Sequence, residues 1–452
     1  MMVGLQNKTQ LVSNGSEMSV RKRQRTVVFA RYPTPGRTKT RLIPAWGERG
    51  AAWLQRRMTE RTLATVRQWR DAEGDAAVEV RFVGGRLGQL RRWLGRDLLY
   101  RPQEEGDLGD RLWQAVERAF AEGVERVTLV GIDCPALSAS LLQQGFAALD
   151  EADVVLGPAN DGGYYSIALR RPIPELFSGI SWGTETVLQQ TLEVARSLGL
   201  SVALLDSLDD IDRPEDLPEW DRATGRQSQR VSVVIPALNE AIALPETLKS
   251  VLAGTNVEAI VVDGGSRDET VAIARSLGAT VLVSEPGRAR QMNAGAQAAT
   301  GEILLFLHAD TRLPQGFEVA VRQVLSEPSV VAGAFELQIA ASLSGIRTVE
   351  RGANWRSRWV QFPYGDQGIF LRRDRFWQLG GFPDLPIMED FEFVRQLRRQ
   401  GNIAIAPVPV VTSGRRWQHI GILRVTVLNQ AIVAAYLLGV SPERLVRWYR
   451  QR

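Results

Sequence analysis

The chain has 452 residues, with 55 Lys and Arg against 51 Asp and Glu, one cysteine, two histidines and a hydrophobic fraction of 44%. That length and apolar content suit two or three buried cores and exclude wholesale disorder. A net charge of only +4 argues against a nucleic-acid partner, and the lone Cys134 excludes an intramolecular disulfide framework and fits a reducing, cytoplasmic compartment.

Residues 1–25 are polar, with a basic cluster at Arg21, Lys22, Arg23 and Arg25 and no apolar core behind it. They read as a disordered basic tail and not as a secretory signal. Apolar strands then alternate with amphipathic helices. Val27–Ala30, Val78–Val83, Val127–Ile132, Val154–Leu156 and Val202–Leu205 are expected strands, separated by helices around 51–69, 111–122 and 184–198. A second series starts at Val231–Ile235 and continues through Ala259–Val262, Thr280–Val283 and Ile303–Leu307, with helices expected near 243–252, 268–276 and 289–299. Between the series, Pro214, Pro218 and many polar residues mark a linker. The expected division is 26–217, a linker at 218–230, and 231–452. Each unit is an α/β domain with a mainly parallel sheet flanked by helices, whose ligands sit beyond the carboxyl ends of the strands.

In the first unit, Phe29-Ala-Arg-Tyr-Pro-Thr-Pro-Gly-Arg-Thr-Lys-Thr-Arg-Leu42 puts Arg37, Lys39 and Arg41 on a glycine-containing loop after the first strand. Such a loop either cradles a di- or triphosphate or is a solvated basic loop. Asp133 follows a buried strand, Asp161 lies on a tight turn in Asn-Asp-Gly-Gly-Tyr-Tyr165, and Asp210 and Asp212 belong to a second acidic cluster. Carboxylates facing a basic loop suit metal-bound phosphate chemistry, and also occur in ordinary turns.

The second unit opens with Ser232-Val-Val-Ile-Pro-Ala-Leu-Asn-Glu240, and its next strand ends at Asp263-Gly-Gly-Ser266. Ser266 and Glu269 have the spacing of a capping box, so a helix is expected directly after Gly264 and Gly265. Glycine and free helix N–H groups there allow close approach of a nucleotide. Gly301-Glu-Ile-Leu-Leu-Phe-Leu-His-Ala-Asp310 ends a strand in a carboxylate, which suits Mg²⁺ or Mn²⁺ on a diphosphate. Taken alone, Asp310 serves equally as a turn residue or N-cap. Ile387-Met-Glu-Asp-Phe-Glu-Phe-Val394 supplies either a general base for an acceptor hydroxyl or an acidic pair complementing a helix dipole. Near the C-terminus, residues 420–440 are apolar but interrupted by Arg424, Asn429 and Gln430, too short a clean run to span a bilayer. Leu423, Val427, Ala434 and Leu438 share one helical face, so this segment is either a packed terminal helix or a peripheral contact at the inner face of the cell membrane.

In order and together, SVVIPALNE, VVDGGSRDET, GRARQMNAGAQAATGEILLFLHADTRLP, GDQGIFLRRDRFWQLGGF and IMEDFEF resemble the family 2 glycosyltransferases over about 231–417. The resemblance implies a GT-A fold, a nucleotide-sugar donor (most often a UDP-sugar), a divalent cation and inversion at the anomeric carbon. By position it places Pro236, Glu240, Asp263 and Gly264 at the nucleotide, with Arg288, Gln291 and Asn293 beside it. Asp310 matches the last aspartate of the D-x-D metal motif. His308 replaces the first, and either ligates the cation or hydrogen-bonds ribose or diphosphate. Asp390 matches the base of the family's ED pair, with Glu389 before it. Ser413-Gly-Arg-Arg-Trp417 resembles the later arginine–tryptophan motif, in which Arg415 or Arg416 pairs with the diphosphate and Trp417 stacks near the acceptor. The GDQG, MEDFEF and SGRRW stretches look closest to a bacterial subgroup labelled arsenosugar-biosynthesis glycosyltransferases, with relatives labelled for carotenoid acids; these labels select no product, and the acceptor is left unidentified among small molecules, lipids and carotenoid-type compounds.

FARYPTPGRTKTRL, GDLGDRL, GIDCPAL and DGGYY resemble a glycosyltransferase-like family often encoded beside, or fused to, the C-terminal type, and more distantly the small nucleotidyltransferases. There Asp133 matches a metal-site aspartate, and Asp210 or Asp212 a second. The basic loop departs from the Gly-x-Gly-Thr-Arg pattern of nucleotidyltransferases. The first unit would make the donor, transfer a second sugar, or only bind nucleotide. With only His308 and His419 available, no nucleophile–histidine pair for a hydrolase is evident, and no G-x-G-x-x-G follows either opening strand.

Overall fold

A computed structural model describes residues 23–450, the Arg450 side chain excepted. Most of the expected basic tail lies outside the described residues. Its last members do not belong to a tail: Gln24–Arg31 form the first strand, and Arg25 is buried between Glu79 at 3.1 Å and Glu122 at 2.8 Å.

The first sheet contains β1 (Gln24–Arg31), β2 (Ala76–Val83), β3 (Leu99–Pro102), β4 (Arg126–Val130), β5 (Val154–Pro158), β6 (Tyr164–Leu169) and β7 (Val202–Leu204). The second contains β8 (Val231–Ala237), β9 (Val257–Asp263), β10 (Thr280–Val283), β11 (Ile303–Phe306), β12 (Thr311–Arg312), β13 (Val330–Ala340), β14 (Ile369–Arg372) and β15 (Asn402–Ser413). Central strands such as β1 and β8 are continuous apolar runs because helices cover both of their faces.

The strand orders are β3-β2-β1-β4-β6-β5-β7 and β10-β9-β8-β11-β14-β13-β15-β12. Set side by side, the two sheets have the same topology, with β12 added at one edge. In each, one strand runs against its neighbours: β6 between β4 and β5, and β14 between β11 and β13. The ends of β1, β4 and β7 therefore correspond to the ends of β8, β11 and β15.

The two sheets share a core. Val28, Leu54 and Trp69 belong to the same buried apolar cluster as Val233, Leu305, Phe317 and Val408. The long helix Ile43–Glu73 packs on β15, and Gly50 permits this contact: a Cβ there would lie 3.2 Å from the Pro407 carbonyl. Trp46 donates from Nε1 to the Gln315 carbonyl at 2.8 Å.

The stretch expected to be a linker is a helix over Leu217–Thr224. Pro218 sits in its first turn, where a missing N–H costs no helical bond. Leu217 and Trp220 are buried, Trp220 donates from Nε1 to Gln323 Oε1 at 2.8 Å, and Asp221 is ion-paired with Arg322 in the interior. The segment joins the halves by packing, where its prolines and polar residues suggested a tether.

Candidate active site

The second sheet places its candidate residues at one end. After β8 the chain turns at Asn239 (φ 56°), whose Oδ1 accepts from Arg267 N at 2.8 Å and whose N–H goes to Ser266 Oγ at 2.8 Å. Glu240 N donates to Thr270 Oγ1 at 2.9 Å. The capping box is not formed: Ser266 serves the neighbouring loop, and the helix begins only at Thr270. Asp263 closes β9, 3% exposed, and accepts from Gly265 N at 2.9 Å and Ser266 N at 3.0 Å, which fixes the turn at its carboxylate. Pro236 lies half-buried on β8, opposite Val262.

Two amides read from sequence as nucleotide contacts are structural braces. Gln291 is buried, and its Nε2 bonds the carbonyls of Ala237 at 2.9 Å and Val262 at 2.8 Å, tying together the ends of β8 and β9. It also packs beneath Gly264, where a Cβ would come within 3.1 Å of it. Asn293 holds Phe382 by both backbone groups, at 2.8 and 2.9 Å.

The charged centre lies beyond β11. Asp390, in the first turn of the helix Glu389–Gln400, accepts from Gly365 N at 2.8 Å through Oδ2 and from Phe391 N at 2.7 Å through Oδ1. Gly365 lies tightly against both groups: a Cβ there would be 3.0 Å from Asp390 Oδ2 and 3.1 Å from His308 Nε2. Burial, then the Arg288 guanidinium, pushes the His308 imidazole down to about 4, against the pull of Asp310 and Asp390. Glu389 is buried beside Arg288 at 3.5 Å; burial and then Asp390 raise its carboxyl.

Asp366 also belongs here, and the sequence reading gave it no role. Burial, with Asp390 and Asp310 adding, pushes its carboxyl up to about 6, although Arg356 opposes the shift. Its Oδ1 is buried without a hydrogen-bond partner. The available signal was the G-D-Q-G pattern, an acid between glycines that let the backbone approach other groups.

Arg415, just past β15, bridges Glu240 Oε2 at 2.9 Å and Asp310 Oδ2 at 3.4 Å. Arg416 lies over the Tyr449 ring, 4.1 Å from its centroid, and Trp417 packs in the apolar cluster around Ile339 and Ile346 with its indole N–H unpartnered. Among the described residues, no group of three or more His, Cys, Asp or Glu side chains stands ready to hold a metal ion.

The first sheet builds a related arrangement at the equivalent strand ends. Lys39 Nζ, from the loop after β1, lies 2.7 Å from Asp133 Oδ1 after β4 and 2.8 Å from Asp212 Oδ1 after β7. Arg41 also pairs with Asp212, at 3.1 Å, so two of the three cations of the expected phosphate cradle are engaged by acids; Arg37 is exposed. Burial lowers the Lys39 ammonium, Asp133 and Asp212 raise it, and the net shift is upward. Burial, then Asp161 and Asp212, pushes Asp210 up to about 6. Each half thus holds two acids and one cation at matching strand ends, with the cation coming from a different strand.

Residues 64–184 match the family described as "Uncharacterized protein conserved in bacteria (DUF2064)", and residues 232–374 match "Glycosyl transferase family 2". A solved protein from Desulfovibrio desulfuricans G20, described as a nucleotide-diphospho-sugar transferase, is 33% identical, with 46% of this chain and 90% of that one covered and a TM-score of 0.42. Residues 232–374 carry a glycosyl transferase family 2 domain. An uncharacterized glycosyltransferase of Mycobacterium bovis is 36% identical to this chain over 127 residues, 28% of this chain and 52% of its own length. A PGL/p-HBAD biosynthesis glycosyltransferase of Mycobacterium bovis (strain BCG / Pasteur 1173P2) is 42% identical over 91 residues, 18% of this chain and 36% of its own. The chain spans about half or less of the length of these curated relatives.

The family 2 half carries a pH signature of opposing signs. His308 has a folded pKa of about 4 against an ordinary 6.5, so the unfolded chain binds the extra proton and stability falls as pH drops between those values. Asp366 has a folded pKa of about 6 against an ordinary 3.8, so the folded chain binds the extra proton and stability rises over the same descent. The two contributions oppose each other in the native protein. Asp366→Asn is expected to lose stability on acidification from about pH 6.5 to 4, by up to about 1.4 kcal/mol per pH unit, whereas His308→Asn gains it. Urea unfolding across that range reads both slopes; parallel slopes in the two variants would contradict the assignment.

Proposed function

We propose that the cleft beyond β8, β9 and β11 transfers a sugar from a nucleotide-sugar donor, a UDP-sugar by family resemblance, to an acceptor with inversion of the anomeric centre. The observation that carries this reading is the convergence of Asp390, His308, Asp366 and Asp310 at the carboxyl end of one sheet, with Arg288 and Arg415 beside them. Asp390 is the general base: Gly365 N–H and Phe391 N–H hold both of its oxygens in place, and it takes the proton of the incoming hydroxyl. Arg288 and Arg415 face the diphosphate, and Glu240 and Asp263 fix the loops around the nucleoside.

The side-chain chemistry suits Mg²⁺ or Mn²⁺, although as placed these groups do not form a three-ligand set among the described residues. Asp366 has an unpartnered buried oxygen, Asp310 is half-buried, and His308 is neutral and so keeps a lone pair. A divalent cation there would offset charge developing on the leaving nucleotide. Arg415 supplies positive charge between Glu240 and Asp310.

The matching acid–cation arrangement around Lys39 supports a second nucleotide or phosphate site in the N-terminal half, which would make the donor, use a second one, or only bind it. Among the described residues no helix is long and apolar enough to cross a membrane, and peripheral contact through 420–440 is part of this reading.

A panel of UDP-sugars with release of UDP, run beside nucleoside triphosphates plus sugar phosphates with release of pyrophosphate, tests the proposal. UDP release that depends on Asp390 is expected. Pyrophosphate release alone, dependent on Lys39 and Asp133, would replace the transferase reading with nucleotidyl transfer.

A further inference from the structure

The outer wall of the cleft carries apolar side chains that nothing in the fold covers. The helix Ile346–Trp355 runs into a π-helical turn, Arg356–Val360, and leaves Trp355 60% and Trp359 77% exposed. Between them Arg356 turns inward: it stacks on Tyr364 at 3.5 Å and hydrogen-bonds Gln367 at 3.3 Å, next to Gly365 and Asp366. The tryptophans therefore stand one helical turn or less from a residue that reaches the acid cluster.

A second exposed strip adjoins this wall. The helix Ile422–Leu437 packs its inner face on the helix that bears Asp390, through contacts such as Tyr436 with Phe391 and Glu392. Its outer face exposes Leu423 at 76% and Val427 at 57%, and Leu438 follows at 86%. The two elements meet where Ile422 and Trp417 pack with Ile346, Val349 and Ala353. An apolar face on a soluble helix is ordinarily buried, and this one is turned to solvent.

The surrounding charge selects the partner. Residues 346–360 hold four arginines and one glutamate, and residues 415–452 hold seven arginines and one glutamate. Arg351, Arg424, Arg444 and Arg447 are exposed and form no ion pair among the described residues. Tryptophan and leucine flanked by unpaired arginines are the composition of a helix lying in the headgroup region of an anionic bilayer.

We infer that Trp355, Trp359, Leu423 and Val427 together form a docking surface for an anionic lipid bilayer, which turns the acceptor side of the Asp390 cleft toward the membrane. Docking on two adjoining elements fixes the orientation of the cleft, which one terminal helix alone would leave free. The orientation rests on the transferase reading; the docking itself does not.

The test is co-flotation of the full chain with phosphatidylglycerol–phosphatidylcholine vesicles and with pure phosphatidylcholine vesicles. Binding to the anionic vesicles is expected, with a loss of at least about tenfold in both Trp355→Ser/Trp359→Ser and Leu423→Ser/Val427→Ser. These side chains are exposed, so an unchanged melting temperature is expected in both variants. Absence of binding, binding unaffected by either pair, or sedimentation showing the face covered by a second copy would overturn the inference. Binding of UDP with Mn²⁺, measured on the same samples, keeps the two readings apart. UDP binding without flotation removes the docking surface alone, and flotation without UDP binding removes the transferase reading alone.

Discussion

Asp390→Asn is expected to lower turnover by about 10²–10⁴ while leaving the donor KM within about threefold. The substitution keeps an oxygen to accept from Gly365 N–H, gives up the acceptor for Phe391 N–H, and removes the charge that takes the acceptor's proton. One hydrogen bond at a helix start is lost, so the thermal midpoint should fall by no more than a few degrees. Steady-state UDP release at saturating donor is the measurement. Unchanged turnover would remove Asp390 as base, and a large rise in donor KM at constant turnover would make it a binding residue.

Asp221→Ala is expected to destabilise the protein by about 3–5 kcal/mol, because it leaves the Arg322 guanidinium charged and uncompensated in the interior. Asp221 is 2% exposed and Arg322 1%, so solvent does not screen the loss. Arg322 keeps its bonds to the Gln229 and Thr255 carbonyls, at 2.8 and 2.7 Å, and these cannot neutralise it. The pair joins the Leu217–Thr224 helix to the Phe317–Leu325 helix, hence one half to the other. Burial raises the Asp221 carboxyl even with Arg322 beside it, the mark of a pair whose desolvation is incompletely offset. The double change Asp221→Leu/Arg322→Met should therefore recover most of the loss. Urea unfolding reads both. A loss below about 1 kcal/mol in the single variant would show that the contact is loose and the halves separable.

The sequence made the central strands legible because β1, β4, β8 and β11 are apolar on both faces, and the turn residues after them delimit the runs. It made Asp310 and Asp390 candidates because strand ends and helix starts are readable locally. The antiparallel strands β6 and β14 were not read: Gly162 and Gly163 mark a turn without showing that the chain doubles back into the middle of the sheet. Asp366 went unrecognised for a related reason. Its neighbours Asp310 and Asp390 are far away in sequence and meet it only once β14 is inserted beside β11. Gln291 and Asn293 look like ligand groups in sequence, but strand-end and loop backbone groups claim them. The Leu217–Thr224 helix was hidden by its prolines, which a first helical turn tolerates. The equivalence of Lys39 and Arg415 as cations between two acids appears only when the two sheets are set side by side.

Calorimetric titration of UDP in the presence of Mn²⁺, with the native chain, Asp310→Ala and Lys39→Met compared, tests most directly where the donor nucleotide is held. Binding that weakens at least about tenfold in Asp310→Ala and on chelation, and that survives Lys39→Met, is the predicted result. Binding indifferent to Asp310 and to chelation, or abolished by Lys39→Met alone, would contradict the placement of the donor in the C-terminal cleft.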